Sequence, residues 1–122
     1  MAAKRILLID DDAHLAGLLL FVLQGAGYIV DLALTVAQAE RRLIERGYEL
    51  VVADCRLPDG DGTAIADRAA DLGAKTAVLT GYAIQMPRER VERHEIWMKP
   101  MRPSELVAAV ERCIGKAGRP IS

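Results

Sequence analysis

Five short apolar segments alternate along the chain with five longer segments suited to helices, and this alternation restricts the fold more than any other feature. The apolar segments are bounded by Gly, Asp, Pro or other polar residues, as buried strands are. Strict alternation of strand and helix predicts a parallel sheet with helices on both faces, joined by right-handed crossovers. The predicted strands are residues 5–9, 28–34, 49–54, 75–80 and 95–98, and the predicted helices are residues 13–25, 36–46, 62–72, 83–93 and 103–115.

Residues at the ends of the predicted helices support these boundaries. Asp12 can cap the first helix and Thr35 the second, because a side-chain oxygen accepts a hydrogen bond from a free amide of the first turn. Gly47 follows the second helix, where glycine is common. Pro103 suits the first turn of the last helix, and Ser104 stands just before its apolar stripe.

Length and charge exclude several functional classes. The 122 residues fit one domain, and 16 basic residues stand against 17 acidic ones. No overall basic field exists to attract nucleic acid, so we expect no direct nucleic-acid binding by this chain. The longest apolar stretch, residues 15–23, is about half the roughly 20 residues that a membrane-spanning helix needs. Two cysteines in no zinc-binding spacing also favour a cytoplasmic protein without a membrane segment.

Polar side chains collect at the predicted carboxyl ends of four strands. Asp10 and Asp11 follow the first strand, Asp54 ends the third, Thr80 ends the fourth and Lys99 follows the fifth. In an open parallel sheet, ligands bind beyond these strand ends. Three carboxylates within about 4–6 Å would repel one another by roughly 1–4 kcal/mol per pair, so a cation is expected among them. Mg²⁺ suits such a site, because it binds one or two carboxylates and keeps other positions for water and phosphate.

Some of the same residues have simpler interpretations. In one such interpretation, residues 10–12 do no more than cap a helix. One cap needs one aspartate, however, and Asp12 already supplies it. Residues 59–62 resemble part of a calcium loop, but the twelfth position counted from Asp59 is Ala70 where a bidentate Glu is required, so a plain turn into the third helix is predicted. His14 and His94 have no partner at a catalytic spacing and are predicted to be surface residues.

Four motifs, in this order and at these strand ends, resemble the CheY-like receiver domain of response regulators in two-component signalling. The resemblance covers nearly the whole chain and implies a (βα)5 flavodoxin-like, doubly wound sheet in the order 2-1-3-4-5. It implies a receiver domain over residues 1–115, with residues 116–122 as a flexible tail or the start of a linker. The motifs are LLIDD (7–11), VVADCRLPDGDG (51–62), AVLTG (77–81) and WMKP (97–100).

The resemblance also implies roles for individual residues. Asp54 would be the phosphate acceptor. Asp11 and Asp54 would bind Mg²⁺ directly, Asp10 largely through water, and Arg56 through its backbone carbonyl. Such a domain is a signalling phosphoacceptor that catalyses only its own phosphorylation and dephosphorylation, and its partner would be a histidine kinase or a histidine phosphotransferase.

The fourth and fifth strands would carry the response to phosphorylation. Thr80 would hydrogen-bond the phosphoryl group, Lys99 would neutralise one of its oxygens, and Pro100 would hold the turn after a cis peptide bond. The family usually has an aromatic residue three positions before this lysine, where this chain has Ile96. The resemblance therefore implies a conformational switch that would run through Ile96 or through another element.

Two other functions remain open at this point. A haloacid-dehalogenase-like phosphatase would also begin with a strand followed by Asp-x-Asp, and its nucleophile would be Asp10. The usual continuation of that motif is missing, since His14 stands where Thr or Val is expected. The other alternative is a receiver fold that acts as an interaction module without phosphorylation.

The first predicted helix offers a surface for the partner. At 100° per residue, Leu20 and Phe21 lie toward its outward face, where they would suit docking to the helical bundle of a kinase or phosphotransferase; alternatively, they pack against the last helix. Pro87 predicts a short or irregular fourth helix, which places in doubt an ordinary homodimer through that region. The residues predicted to face the core from the first helix are Leu15, Leu18, Leu19 and Val22.

Overall fold

A computed structural model describes residues 4–81 and 93–117 of the chain. The predicted strands and helices of these residues are present, with boundaries within one residue of the expected ones, and two additional short strands lie between the third predicted strand and the third predicted helix. The strands are β1 (Arg5–Ile9), β2 (Ile29–Ala33), β3 (Leu50–Asp54), β4 (Arg56–Leu57), β5 (Gly60–Asp61), β6 (Lys75–Thr80) and β7 (Glu95–Met98). The helices are α1 (Ala13–Gly25), α2 (Val36–Glu45), α3 (Gly62–Asp71) and α4 (Pro103–Ile114).

The described strands form one parallel sheet and one short hairpin. The sheet has five strands in the order β2-β1-β3-β6-β7, which confirms the predicted order 2-1-3-4-5. Strands β4 and β5 pair with each other antiparallel, in a hairpin between β3 and α3. Since β1 and β3 are neighbours at the centre of the sheet, the residues that follow them meet at the same edge.

Alternate residues of the central strands enter two separate core layers. Ile6 and Leu8 of β1 pack with residues of α1 and α4, whereas Leu7 and Ile9 pack with residues of α2 and α3. All four side chains are fully buried. Helices cover both faces, so the strand has no solvent-exposed face, and its apolar run shows no alternation with polar residues. The flavodoxin-like α/β fold is therefore confirmed.

The predicted caps of the first two helices are present, and Pro103 lies in the first turn of the last helix, as predicted. Asp12 accepts hydrogen bonds from the amides of His14 and Leu15, each at 3.1 Å. Thr35 accepts one from the amide of Gln38. In α4, Arg102 occupies the capping position and its amide donates to Oε1 of Glu105 at 2.8 Å. Ser104 lies inside the first turn, because Pro103 already starts the helix.

The expected faces of α1 are partly wrong. Leu18 is 53% exposed rather than buried. Leu20 is half-buried against the core layer that includes the last helix, which confirms for this residue the alternative of packing there. Phe21 is 73% exposed, as predicted. Helix α1 contacts α4 as well as the sheet, so its buried surface is turned toward Leu20. Because α1 is apolar on nearly every side, its sequence does not indicate which of its faces is buried.

His94 is buried, so its prediction as a surface residue was wrong. It is 4% exposed and lies where the chain enters β7. Its Nε2 donates to Oδ1 of Asp67 in α3 at 2.6 Å, and its Nδ1 is hydrogen-bonded to the hydroxyl of Thr76 in β6. These two partners satisfy the buried ring, which explains why burial is tolerated. His14 is exposed, as predicted.

Some predicted features lie outside the described residues. These include residues 83–92 of the predicted fourth helix, with Pro87, and residues 118–122 of the predicted tail. At the end of α4, the carbonyls of Ile114 and Lys116 accept hydrogen bonds from Nζ of Lys4, so the end of this helix is held against the start of β1. Among the helices of the described ranges, none has both the length and the apolar character required to cross a membrane.

Candidate functional site

Three acidic side chains and one lysine meet at the carboxyl edge of the sheet. One carboxylate oxygen from each of Asp10, Asp11 and Asp54 lies within 4.8 Å of the others. Nζ of Lys99 lies 3.1 Å from Oδ2 of Asp54 and 3.7 Å from Oδ2 of Asp10. The chain brings these residues together because β1, β3 and β7 run parallel and end at this edge.

Asp10 is the most buried acid of the site. It is 1% exposed, and its Oδ1 accepts a hydrogen bond from the amide of Asp12 at 3.0 Å. Its Oδ2 is buried and has no hydrogen-bond partner among the described residues. Burial raises the pKa of the Asp10 carboxyl, although the amide of Asp12 and the charge of Lys99 act in the opposite direction. A buried carboxylate oxygen without a donor indicates that another positive group belongs beside it.

Lys99 remains a charged partner of these acids. Burial acts to lower the pKa of Lys99, but the hydrogen bond to Asp54 and the charges of Asp10 and Asp54 outweigh it and raise the pKa overall. The backbone amide of Lys99 donates to the carbonyl of Thr80 at 2.7 Å. The Lys99–Pro100 peptide bond is cis, as predicted. The end of β7 is thereby fixed to the end of β6.

The acidic cluster fits a hard divalent cation. Three carboxylates and one ammonium give a formal charge of −2, which one divalent cation would neutralise. Oxygen ligands on one or two carboxylates, with further positions left to water, are the donors that Mg²⁺ prefers. Asp11 is exposed and Asp54 is 8% exposed, so the cluster is open to solvent on one side. Within the described ranges, this is the group of acids whose geometry could hold a metal ion.

The other predicted site residues lie on neighbouring elements. Thr80 ends β6, is fully buried, and pairs in register with Met98 of β7. Arg56 begins the hairpin, one residue after the end of β3, and its amide lies 3.5 Å from Oδ1 of Asp54. Ile96 is half-buried on the α3 side of the sheet, whereas the neighbouring Trp97 is buried on the α1 side. Ile96, which stands where the family usually has an aromatic residue, thus packs against the core layer formed with α2 and α3.

Gly62 supports the site in a way that the sequence did not reveal. It is the first residue of α3, and a Cβ atom there would lie 1.6 Å from the backbone oxygen of Asp54. Its amide donates to the carbonyl of Cys55 at 3.1 Å. The start of α3 is therefore packed directly on the backbone of Asp54. The sequence offered only a Gly in a turn, without the close approach that requires it.

The acids of residues 59–62 serve helix ends. Asp61 caps α3 by accepting from the amide of Thr63 at 2.8 Å. Asp59 accepts from the amides of Val36 and Ala37 at the start of α2, and these hydrogen bonds lower the pKa of its carboxyl. This placement agrees with the rejection of a calcium loop, since Asp59 and Asp61 each serve a different helix. The predicted turn is the β4–β5 hairpin.

Comparisons with known proteins agree with this geometry. A family model described as the response regulator receiver domain matches residues 6–111. The response regulator receiver protein CpdR of Brucella abortus is 30% identical over 116 residues, which cover 91% of this chain and 97% of that protein. The swarming motility regulation protein RssB of Serratia marcescens is 32% identical over 118 residues, which cover 88% of this chain and 51% of RssB. The chain thus spans about half the length of RssB.

A solved structure shows the same fold. The response regulator protein TrrA of Thermotoga maritima, in complex with Mg(2+)-BeF, superposes with a TM-score of 0.81 at 28% identity, over 90% of this chain and 98% of that one. The family match covers most of the chain and includes every residue of the acidic cluster. The chain belongs to the response regulator receiver domain family of two-component signalling.

Proposed function

We propose that the chain accepts a phosphoryl group on Asp54 from a histidine kinase or a histidine phosphotransferase, with Mg²⁺ bound in the acidic cluster. The observation that carries the proposal is the convergence of three carboxylates within 4.8 Å, with Lys99 at 3.1 Å from Asp54. The complex of TrrA with Mg(2+)-BeF supports the same use of the site in this chain. The domain is a signalling module in the cytoplasm, and its chemistry is confined to its own phosphorylation and dephosphorylation.

The reaction forms a P–O bond to Asp54 and breaks a P–N bond of the donor. A carboxylate oxygen of Asp54 attacks phosphorus, and the electrons of the P–N bond return to the ring nitrogen of the donor, which is protonated on its other ring nitrogen and leaves as neutral imidazole. Lys99 holds Oδ2 of Asp54 and offers a positive charge to a phosphoryl oxygen. Mg²⁺ would be held by Asp10, Asp11, Asp54 and the carbonyl of Arg56, and would neutralise phosphoryl charge.

Asp54 is more accessible to a phosphodonor than Asp10 in this geometry. Asp10 is 1% exposed, whereas Asp54 is 8% exposed, so a donor reaches Asp54 more easily. The family match gives no support to the haloacid-dehalogenase alternative, in which Asp10 would be the nucleophile. Asp10 therefore acts in the proposal as an electrostatic and metal-binding group.

The phosphoryl group is read out at the ends of β6 and β7. Its arrival adds negative charge beside Lys99, and the hydroxyl of Thr80 is the short donor proposed to respond to it. Ile96 lies on the same sheet face as the α3 layer and is the proposed route from Thr80 to the surface. Pro100 holds the turn that keeps Lys99 in place.

The docking surface for the phosphodonor is assigned to Leu18 and Phe21. Both are exposed on α1, one turn apart, and α1 begins directly after the acidic cluster. Leu20, the other residue predicted for docking, is half-buried and contributes less. Leu18→Ser with Phe21→Ser should slow phosphorylation by a cognate kinase and spare phosphorylation by a small donor. Ile44→Ser with Leu72→Ser, which changes exposed apolar residues on α2 and directly after α3, is the matched control.

Mass spectrometry after incubation with a small phosphodonor tests the proposal. We expect one added phosphoryl group on the parent in the presence of Mg²⁺, and none after chelation of the metal. Asp54→Asn should remove the modification. An unmodified parent would favour the alternative of an interaction module that acts without phosphorylation.

A further inference from the structure

The β4–β5 hairpin is the least embedded part of the proposed site. Its strands pair only with each other, Arg56 with Asp61 and Leu57 with Gly60, and they are separate from the main sheet. Leu57 is buried, but most of the hairpin residues are exposed. The hairpin contains the carbonyl of Arg56 that would bind Mg²⁺. Leu57 packs in the core layer of α2 and α3, and contacts at the two ends of the hairpin add to this in setting its position relative to Asp54.

One end of the hairpin is held close to Asp54. The amide of Cys55 donates to the carbonyl of Leu79 at 3.1 Å, and the amide of Gly62 donates to the carbonyl of Cys55 at 3.1 Å. These bonds fix the base of the hairpin between β6 and α3. They leave the tip, around Asp59, without restraint from the sheet.

The tip is held by Asp59, which bridges to another helix. Its Oδ1 accepts from the amide of Val36 at 2.7 Å, and its Oδ2 accepts from the amide of Ala37 at 3.1 Å. Val36 and Ala37 are the first two residues of α2, and their amides are free donors at a helix start. Thr35, the cap of α2, takes the third amide, that of Gln38.

The charge of Asp59 favours this bridge. Hydrogen bonds from the amides of Val36 and Ala37 lower the pKa of the carboxyl, so Asp59 is ionised at neutral pH. An ionised carboxylate is also favoured at the positive end of the helix dipole. A bidentate, charged contact over 22 and 23 residues of sequence is a specific restraint on the hairpin tip.

We propose that Asp59 is a positioning residue for the metal site, tying the hairpin that contains Arg56 to the start of α2. This inference rests on the proposed function, because the ligand that it positions is Mg²⁺. Without the bridge the tip of the hairpin would sample other positions, and the short strand β4 would pass this freedom to the carbonyl of Arg56, so that the carbonyl would meet the metal less often. The effect falls on Mg²⁺ affinity rather than on the chemistry of Asp54.

Asp59→Ala and Thr35→Ala form a matched pair that separates positioning from helix capping. Both variants remove an acceptor from the start of α2, but only Asp59→Ala releases the hairpin. We expect Asp59→Ala to weaken Mg²⁺ binding about ten-fold in calorimetric titration, as loss of a ligand-orienting partner does. Thr35→Ala should change it by about two-fold or less, as expected for a change that touches no ligand. At saturating Mg²⁺, the phosphorylation rate of Asp59→Ala should return close to that of the parent.

Two results would overturn the inference. Equal loss of Mg²⁺ affinity in the two variants would make Asp59 a helix cap and nothing more, as would an Asp59→Ala variant with unchanged affinity. If Asp59→Ala fails to fold by circular dichroism, Asp59→Asn decides, since it keeps one acceptor oxygen and should bind with intermediate affinity. A parent that binds no Mg²⁺ would instead contradict the proposed function itself.

Discussion

Replacement of Gly62 by alanine should destabilise the fold and damage the site together. The Cβ atom would lie 1.6 Å from the carbonyl oxygen and 2.7 Å from the carbonyl carbon of Asp54. Real Cβ contacts begin near 3.0 Å, so the start of α3 and the backbone of Asp54 would have to separate by about 1.4 Å. Both partners are backbone atoms, so no change of side-chain rotamer relieves the clash. Gly62 has no positive φ, and the effect is therefore purely steric.

The expected loss follows from overpacking of a rigid contact. Overpacking costs about 1–3 kcal/mol when side chains can adjust, so we expect the upper end, about 3 kcal/mol or more, for this backbone clash. Urea denaturation followed by the fluorescence of Trp97, the only tryptophan and 4% exposed, measures the free energy of unfolding. Phosphorylation by a small donor should fall in the same variant, because Asp54 is displaced.

Gly17→Ala is the matched control for this substitution. Gly17 lies within α1, and a Cβ there would have no atom within 4 Å. Alanine in an open helix position should stabilise the protein by about 0.5–1 kcal/mol, because glycine loses more backbone entropy on folding. The two Gly→Ala changes should thus have opposite signs. A Gly62→Ala variant that unfolds within about 1 kcal/mol of the parent, with normal phosphorylation, would refute the close packing of α3 on Asp54.

Three other predictions follow from charge and burial. Burial raises the pKa of Asp10, so the ionised carboxylate destabilises the metal-free protein above the folded pKa, and this penalty is relieved as the pH falls. Asp10→Asn should therefore add about 1 kcal/mol to the free energy of unfolding of the metal-free protein, measured by urea denaturation. The same variant should abolish Mg²⁺ binding. Lys99→Met should strengthen Mg²⁺ binding in calorimetry about five-fold, since a nearby positive charge is lost, while slowing phosphorylation; weaker Mg²⁺ binding would contradict the charge argument. His94→Ala should cost about 2–4 kcal/mol in urea denaturation and His14→Ala about 0.5 or less, whereas similar losses would contradict the burial of His94.

The fold and the central site were predictable because they depend on local patterns. Each buried strand is a short apolar run, and the acids stand at strand ends where a parallel sheet collects them. Asp10, Asp11, Asp54 and Lys99 could therefore be placed together before any contact was known. The strand order came from the resemblance to receiver domains, since periodicity does not determine which strands are neighbours.

The errors came from features that depend on distant parts of the chain. His94 is buried because Asp67, 27 residues away, and Thr76, 18 residues away, satisfy its ring. Leu18 is exposed and Leu20 is half-buried because α4 packs on α1, and a uniformly apolar helix does not indicate its orientation. In the same way, the need for glycine at position 62 arises only when α3 lies on the backbone of Asp54. Each is a tertiary contact that no local pattern encodes.

A structure of the protein with Mg²⁺ and beryllofluoride tests the central claim most directly. The account predicts beryllium bonded to a carboxylate oxygen of Asp54, with the metal among Asp10, Asp11 and the carbonyl of Arg56, and Lys99 against a fluorine. Beryllofluoride bonded to Asp10, or no bound beryllofluoride at saturating Mg²⁺, would contradict the assignment of Asp54 as the phosphoacceptor.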